Sequence, residues 1–446
     1  MSAAVIRRFG LCLMGAVLAM AFATAQSARA EVQITPVTSA KGVTAWLVQE
    51  HSIPFVALDI RFQGGANLDL PGKRGAVNLM AALLEEGAAD LDARAFSQAR
   101  EALAASIGFR AGDDTLSVSA QFLTENRDQA ADLLHKALSA PRFDVDAVER
   151  VRAQVIAGIK ADAQDPNTLA ARAFGAAAFG DHPYGSSRDG TVDSVQALTR
   201  ADLVVAHRNT VARDRVHVGV VGDITPEALG VLLDQILGDL PEIGAPLPPR
   251  AVYGLTGGIT VVPYDTPQSV LVFGHQGLRR DDPDFFAAYL LNEVVGGGRF
   301  GARLMQEVRV KRGLTYGIST YLSPMDLADL YMGHVASQNA KVGQVVEVVR
   351  QEWAKAAAGI TPEELETAKT FLTGAYPLRF DGNANIAAIL VGLQMENLPV
   401  DYVATRNARI DALTLADVNR VAARLFRPDQ LRFVIVGQPE GLDALK

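Results

Sequence analysis

Cysteine is almost absent from this 446-residue chain: the only one, Cys12, lies close to the N-terminus. No disulfide, thiol nucleophile or cysteine-based metal site can therefore be built in the body of the protein. A large excess of one sign of charge is also missing. The formal net charge is -8, and no block of Lys or Arg is present that could track a phosphate backbone, so nucleic acid is not an expected partner. Beyond the N-terminal region no apolar stretch is long enough to span a bilayer without a charge or a break. No Gly-x-Ser-x-Gly elbow occurs, which removes the sequence basis for a serine hydrolase. The histidines are few and scattered: His51, His135, His182, His207, His217, His275 and His334 never fall within one helical turn of each other. A metal site built on them needs convergence of distant segments, and structural or solvated roles are expected instead.

What is present begins with a leader. Arg7 and Arg8 precede an apolar run from Leu11 to Ala23, and Ala28-Arg29-Ala30 supplies small residues where a signal peptidase reads. Residues 1–30 are expected to be a signal peptide, cleaved before Glu31, with the bacterial periplasm as the destination. A membrane anchor is the alternative, although the run is shorter than the roughly 20 apolar residues of a spanning helix. The arginine pair suits the general secretory route and leaves the twin-arginine route open. With 49% hydrophobic residues, the remaining chain can stabilise about two domains by burial alone.

An internal repeat organises those domains. Leu198-Thr199-Arg200-Ala201-Asp202 opens a helical pattern that reaches Asp214, then an apolar run from Val216 to Val221, then Gly222. Leu413-Thr414-Leu415-Ala416-Asp417 leads in the same way to Asp429, Leu431 to Val436 and Gly437. The segments align without a gap at an offset of about 215 residues, with Thr as helix cap and a buried strand closing each. Between the halves, Leu240 to Pro249 carries repeated prolines that favour an extended, semi-rigid connector. The expected domains are residues 31–239, a linker at 240–250, and residues 251–446.

Strands are expected at Val43 to Val48, Phe55 to Phe62, Thr115 to Phe122, Ile259 to Val262 and Ser269 to Gly274. Helical patterns cover Gly75 to Leu84, Ala93 to Ile107, Arg127 to Leu138, Asp144 to Ala163, Phe285 to Val295 and Arg303 to Val308. Hairpin-like neighbours open each half, so the fold class is α+β: two homologous halves, each a mostly antiparallel sheet with helices packed on one face.

At this level the chain resembles a family. Gly75-Ala76-Val77-Asn78-Leu79-Met80-Ala81-Ala82-Leu83-Leu84-Glu85-Glu86-Gly87, after Phe62-Gln63-Gly64-Gly65-Ala66 and Gly72, is similar to the first helix of pitrilysin or insulinase-type zinc peptidases. There, His-x-x-Glu-His places two metal ligands on one helix face and a general base beside them. The corresponding positions here are Asn78, Ala81 and Ala82, and none can serve. The family's third ligand is a glutamate about two turns beyond a Glu-Arg pair, matched here by Glu149-Arg150. Gln154, Val155, Ile156, Ala157 and Gly158 fill that stretch without a carboxylate. Asp181-His182-Pro183-Tyr184-Gly185 is a turn that the family also shows.

The second half carries a different part of the resemblance. Arg303-Leu304-Met305-Gln306-Glu307-Val308-Arg309-Val310-Lys311-Arg312-Gly313-Leu314-Thr315-Tyr316-Gly317, behind Gly296-Gly297-Gly298, is similar to the stretch from which active assemblies project an arginine and a tyrosine toward bound peptide. By that resemblance the substrate-binding residues are Arg309 and Tyr316. The plain alternative is that Arg309 pairs with a nearby carboxylate and Tyr316 merely starts a strand. The resemblance runs from Val43 through Gly437 and implies half of a peptidase clamshell. It also implies no cofactor in this chain, zinc in a homologous partner subunit, a heterodimer with that subunit, and a peptide as the shared substrate. A metal-free structural or peptide-binding homologue is the second reading.

Overall fold

A computed structural model describes residues 32–443, so the expected signal peptide and Cys12 lie outside the described residues. Two mixed, mostly antiparallel sheets form the frame. The first is ordered β1-β2-β8-β3-β7-β6, from Thr35–Thr38 (β1), Thr44–Gln49 (β2), Phe55–Gln63 (β3), Ser106–Ala111 (β6), Thr115–Leu123 (β7) and Val216–Gly222 (β8). Short strands Gly87–Ala88 (β4) and Leu91–Asp92 (β5) make a separate hairpin. The second sheet is ordered β11-β12-β10-β13-β9, from Gly258–Pro263 (β9), Gln268–Gln276 (β10), Ile318–Pro324 (β11), Asp329–Gln338 (β12) and Arg432–Gly437 (β13). Each has one parallel pair, β2 with β8 and β9 with β13, and antiparallel pairing elsewhere. The strand orders match through the repeat.

The matching helices are α1 (Ala76–Ala82), α2 (Ala93–Ala102), α3 (Arg127–Ser139), α4 (Val145–Asp162), α5 (Pro166–Phe179), α6 (Val192–Gln196), α7 (Arg200–Thr210) and α8 (Pro226–Leu237) in the first half. The second half has α9 (Phe285–Gly296), α10 (Val342–Ala357), α11 (Pro362–Ala375), α12 (Asn383–Met395), α13 (Tyr402–Asp411) and α14 (Leu415–Leu425). The repeated segment is reproduced atom for atom at its helix caps. Thr199 and Asp202 form a capping box at α7, and Thr414 and Asp417 form the same box at α14. Each cap satisfies helix N–H groups that would otherwise lack a partner. The closing glycines agree as well: Gly222 has φ 145° and Gly437 φ 148°. A Cβ there would meet the carbonyl of Phe55 at 2.3 Å or Ser269 Oγ at 2.2 Å, so only glycine lets β8 and β13 end against β3 and β10.

Alternation along β7 buries Leu116, Val118, Ala120 and Phe122 on one face, as a period of two requires. Those residues meet Leu133, Leu134, Leu232, Leu233 and Ile236 in the first core. The second core centres on Trp353, with Phe273, Tyr331 and Phe426 packed around it at ring separations of 6.0, 5.0 and 5.1 Å.

The opposite face of each sheet is covered too, and by the other half. Helix α5 packs against β10 and β13, burying Ala170, Phe174 and Ala178 with Val270, Val272, Val434 and Val436. Helix α12 packs against β3 and β8, burying Ala387 and Leu390 with Val221. One helix is thus exchanged in each direction. The connector is fastened to both partners: Arg213 N–H donates to Pro241 O, Ala245 N–H to Asn209 O, Ala251 N–H to Leu327 O and Gly254 N–H to Ala178 O.

Two sequence expectations are corrected. The segment Ala93 to Ile107 is not one helix: α2 ends at Ala102, Ala104 turns the chain at φ 48°, and Ser106 begins β6. Alanine-rich composition around Leu103 hides that break, because alanine favours helix whatever follows. The helix expected over Arg303 to Val308 forms, but from Met305 to Val310 it winds as a π-helix rather than an α-helix.

Candidate functional site

Helix α1, where the family carries its metal motif, is well built. Its N-terminus is capped by Asp69, whose carboxylate accepts from Gly75 N–H and Val77 N–H, each at 2.8 Å. Arg74 lies 3.3 Å from the same carboxylate and donates to Pro183 O at 2.8 Å. Burial nevertheless holds the Asp69 carboxyl above its ordinary pKa, against the pull of those hydrogen bonds and of Arg74. Along the helix Ala81 is buried, Asn78 half-buried and Ala82 exposed. Neighbouring α4 exposes Gln154, Ala157 and Gly158 and turns Val155 and Ile156 toward the core.

Zinc does not fit this donor set. Two methyl groups and a neutral amide replace two imidazoles and a carboxylate, and no acid stands in the stretch of α4 from Gln154 to Gly158 to complete a tetrahedron. Among the described residues no group of three or more His, Cys, Asp or Glu is gathered to hold a metal ion. The histidines within those residues have other work. His275 donates from Nδ1 to Gln276 O at 2.8 Å and accepts at Nε2 from Trp353 at 3.1 Å. Burial pushes its pKa down to about 4, so the ring is neutral at physiological pH. His207 donates to Leu138 O at 2.8 Å, and His51 pairs with Asp223 at 2.7 Å.

The glycine loop Gly296-Gly297-Gly298 closes α9, with Gly298 at φ 83°. Beyond it Arg303 makes a two-pronged bond to Glu364, Nε to Oε1 at 2.7 Å and Nη2 to Oε2 at 2.6 Å, anchoring the turn that follows. The π-helical turn places Arg309 with its guanidinium 4.6 Å from the ring centre of Phe300. The nearest acid in sequence, Glu307, is already held by Lys311 and Arg312, each at 2.6 Å. Among the described residues no carboxylate pairs with Arg309. Tyr316 is 85% exposed, two residues ahead of β11, in a bend fixed by Thr315 Oγ1 donating to Ala336 O at 2.6 Å. Both side chains thus offer hydrogen-bond donors to solvent, and both can bind a carbonyl oxygen.

A polar junction between the halves escaped sequence reasoning. The Asp114 carboxylate accepts from the Tyr184 hydroxyl and from Asn67 Nδ2 at 3.0 Å, and Leu327 N–H reaches the Tyr184 oxygen at 3.1 Å. Burial raises the Asp114 pKa to about 6; Tyr184 opposes the shift and the nearby Asp326 adds to it. The Asp181 to Gly185 turn gave a signal for Tyr184, but nothing linked it to residues 70 or more positions away.

The sequence profile of the Peptidase M16 inactive domain matches residues 197–372. The non-peptidase homolog YmxG of Helicobacter pylori is 27% identical over 393 residues, covering 87% of this chain and 90% of that protein. An uncharacterized zinc protease of Mycobacterium leprae is 27% identical over 356 residues, 79% of this chain and 80% of its own length. Among solved structures, a peptidase M16 inactive domain from Pseudomonas fluorescens superposes with a TM-score of 0.85 at 28% identity, covering 92% of this chain and 99% of that one. A protease from Helicobacter pylori shares the fold at a TM-score of 0.82 and 17% identity, over 91% and 99% of the two chains. With the two repeated halves, the exchanged helices and a first helix stripped of His-x-x-Glu-His, the chain is similar in sequence and fold to the inactive, non-peptidase homologues of the pitrilysin or insulinase-type (M16) peptidases.

Proposed function

We propose that this protein is the noncatalytic subunit of a periplasmic zinc endopeptidase, paired with a zinc-bearing homologue. In this reading Arg309 and Tyr316 donate to the carbonyl of the scissile peptide, while metal, water activation and cleavage belong to the partner. One contrast supports it above all. The metal positions carry Asn78, Ala81 and Ala82 on an otherwise intact helix, whereas Arg309 and Tyr316 present donors without a carboxylate competing for them.

The test is zinc content and peptidase activity of the purified mature chain, alone and mixed with its nearest His-x-x-Glu-His homologue from the same cell. Activity is expected only in the mixture. Arg309→Ala or Tyr316→Phe then lowers turnover on the order of 10²-fold, the usual loss for a donor to a developing oxyanion. Unchanged activity with both variants sinks the assigned roles, and zinc-dependent activity of the isolated chain sinks the subunit reading. Cell fractionation and N-terminal sequencing check export, with Glu31 as the expected first residue.

The second reading, a metal-free structural or peptide-binding homologue, draws on the relative named as a non-peptidase homolog. It predicts inactivity in the mixture and no co-purifying zinc peptidase.

A further inference from the structure

A cavity of about 560 Å³ opens in the second half between α9, β11, the turn after α11, and helices α12 and α13. That is a ligand-sized space. Its walls are largely aromatic, with Phe286, Tyr289, Tyr376 and Tyr402 among them. Three guanidinium groups, Arg280, Arg379 and Arg406, share it with one carboxyl group, Glu396.

The charges do not cancel. Among the described residues no carboxylate pairs with any of the three arginines. Arg406 is only 4% exposed and lies 4.1 Å from the ring centre of Tyr376. Its Nη1 donates to Leu372 O at 3.1 Å and to Asn407 Oδ1 at 2.9 Å, both neutral acceptors. A guanidinium so far from water without a counter-ion is costly, and an incoming anion relieves that cost. Arg280 sits 4.4 Å from the ring centre of Phe285 and donates to the Tyr402 hydroxyl at 2.8 Å, which aligns it without neutralising it. Burial pushes the Glu396 carboxyl up to about 7; Arg280 opposes this, and Asp326 and Asp329 add to it, so its negative charge is only partial near neutrality. The Tyr376 hydroxyl, also buried, bonds to nothing among the described residues.

We propose that this cavity binds an aromatic carboxylate, the ring lying among Phe286, Tyr289 and Tyr402 and the carboxylate on Arg406 and Arg280, with Arg379 at the rim. Aromatic rings and guanidinium groups in alternation favour a flat apolar body, and a guanidinium meets a carboxylate through parallel N–H donors. The same chemistry is carried by the C-terminal residue of a peptide ending in phenylalanine or tyrosine and by a free aromatic acid. In chain order α9, β11 and α11 take the places that α1, β6 and α4 hold in the first half, so the cavity is the second half's counterpart of the erased metal position.

Isothermal titration calorimetry on the isolated mature chain tests this independently of any peptidase partner. The probes are N-acetyl-phenylalanine, its carboxamide, and the tripeptide Ala-Ala-Phe with a free carboxylate. Saturable binding of the acids is expected, with the carboxamide weaker by about 10-fold or more, as befits loss of a charge-assisted bond. Arg379→Ala, at an exposed position that leaves the core intact, weakens the acids several-fold without moving the carboxamide. Arg406→Lys, which keeps the charge but not the fork, weakens them further. A tighter tripeptide assigns the cavity to peptide C-termini, and a tighter N-acetyl-phenylalanine assigns it to free acids; both uphold the carboxylate site. Equal affinity for acid and carboxamide, or no saturable binding of either acid, overturns it.

Discussion

Replacing Gly219 with alanine tests the exchange of helices directly. Gly219 lies on β8 beneath α12, and an added Cβ would stand 2.3 Å from the carbonyl oxygen of Ala387, 3.0 Å from Val391 Cγ2 and 3.1 Å from Leu390 Cβ. Carbon contacts settle near 3.5 to 4.0 Å, so the helix must retreat by about 1 Å. Because the nearest obstacle is backbone, no rotamer change relieves it, and the cost should lie toward the upper end of the roughly 1 to 3 kcal/mol typical of overpacking. An unfolding entropy of roughly 2.1 cal/mol/K per residue gives about 0.9 kcal/mol/K for a chain this long, so Tm should fall by only about 1 to 3 °C. Hydrogen exchange is the sharper assay. Amides of Asn383–Met395 should exchange about 10- to 100-fold faster, while those of α10 around Trp353 keep their protection. Gly158→Ala is the control: this helical glycine has nothing within 4 Å of its would-be Cβ, and alanine should stabilise by up to about 1 kcal/mol. Wild-type exchange and melting in Gly219→Ala would falsify the seating of α12 on the first sheet.

Three further outcomes follow from the packing and charges. Trp353→Ala should cost about 3 to 5 kcal/mol, since the ring is fully buried and its Nε1–H is spent on His275; chemical denaturation checks this. Glu364→Ala removes both the partner of Arg303 and the capping box at α11, a loss of about 2 to 3 kcal/mol in the same assay, while Glu364→Gln should retain part of the cap. His275 has a folded-state pKa of about 4, below its unfolded value near 6.5. Its contribution is therefore present above pH 6.5 and lost as the pH falls toward 4, up to about 3 kcal/mol, and His275→Gln should flatten the measured stability profile in that window.

Much of this architecture was legible because it rests on local patterns. The alternation in Thr115 to Phe122 gives β7, and the Thr-x-x-Asp boxes separated by 215 residues give the two matched helix-strand units. The α2 to β6 boundary was not, since Leu103 and its flanking alanines suit a helix and only the left-handed Ala104 marks the turn. Nor was the exchange of α5 and α12, because apolar periodicity says that a face is buried and never says against what. The empty metal positions could be read from three side chains on one helix, Asn78, Ala81 and Ala82. Arg280, Arg406 and Tyr376 could not be brought together, for they reach the cavity from three separate elements.

The crossed helices also govern the order in which the protein can be made. Until residues 383–395 have been synthesised, the outer face of β3 and β8 has no cover, although the strands themselves are complete by Gly222. The emerging polypeptide therefore carries an exposed apolar sheet face through the making of most of its second half. It must be kept from aggregating during that interval by a chaperone or by speed. A truncation anywhere before α12 strands that face permanently, so neither half should be obtainable in stable form without the other.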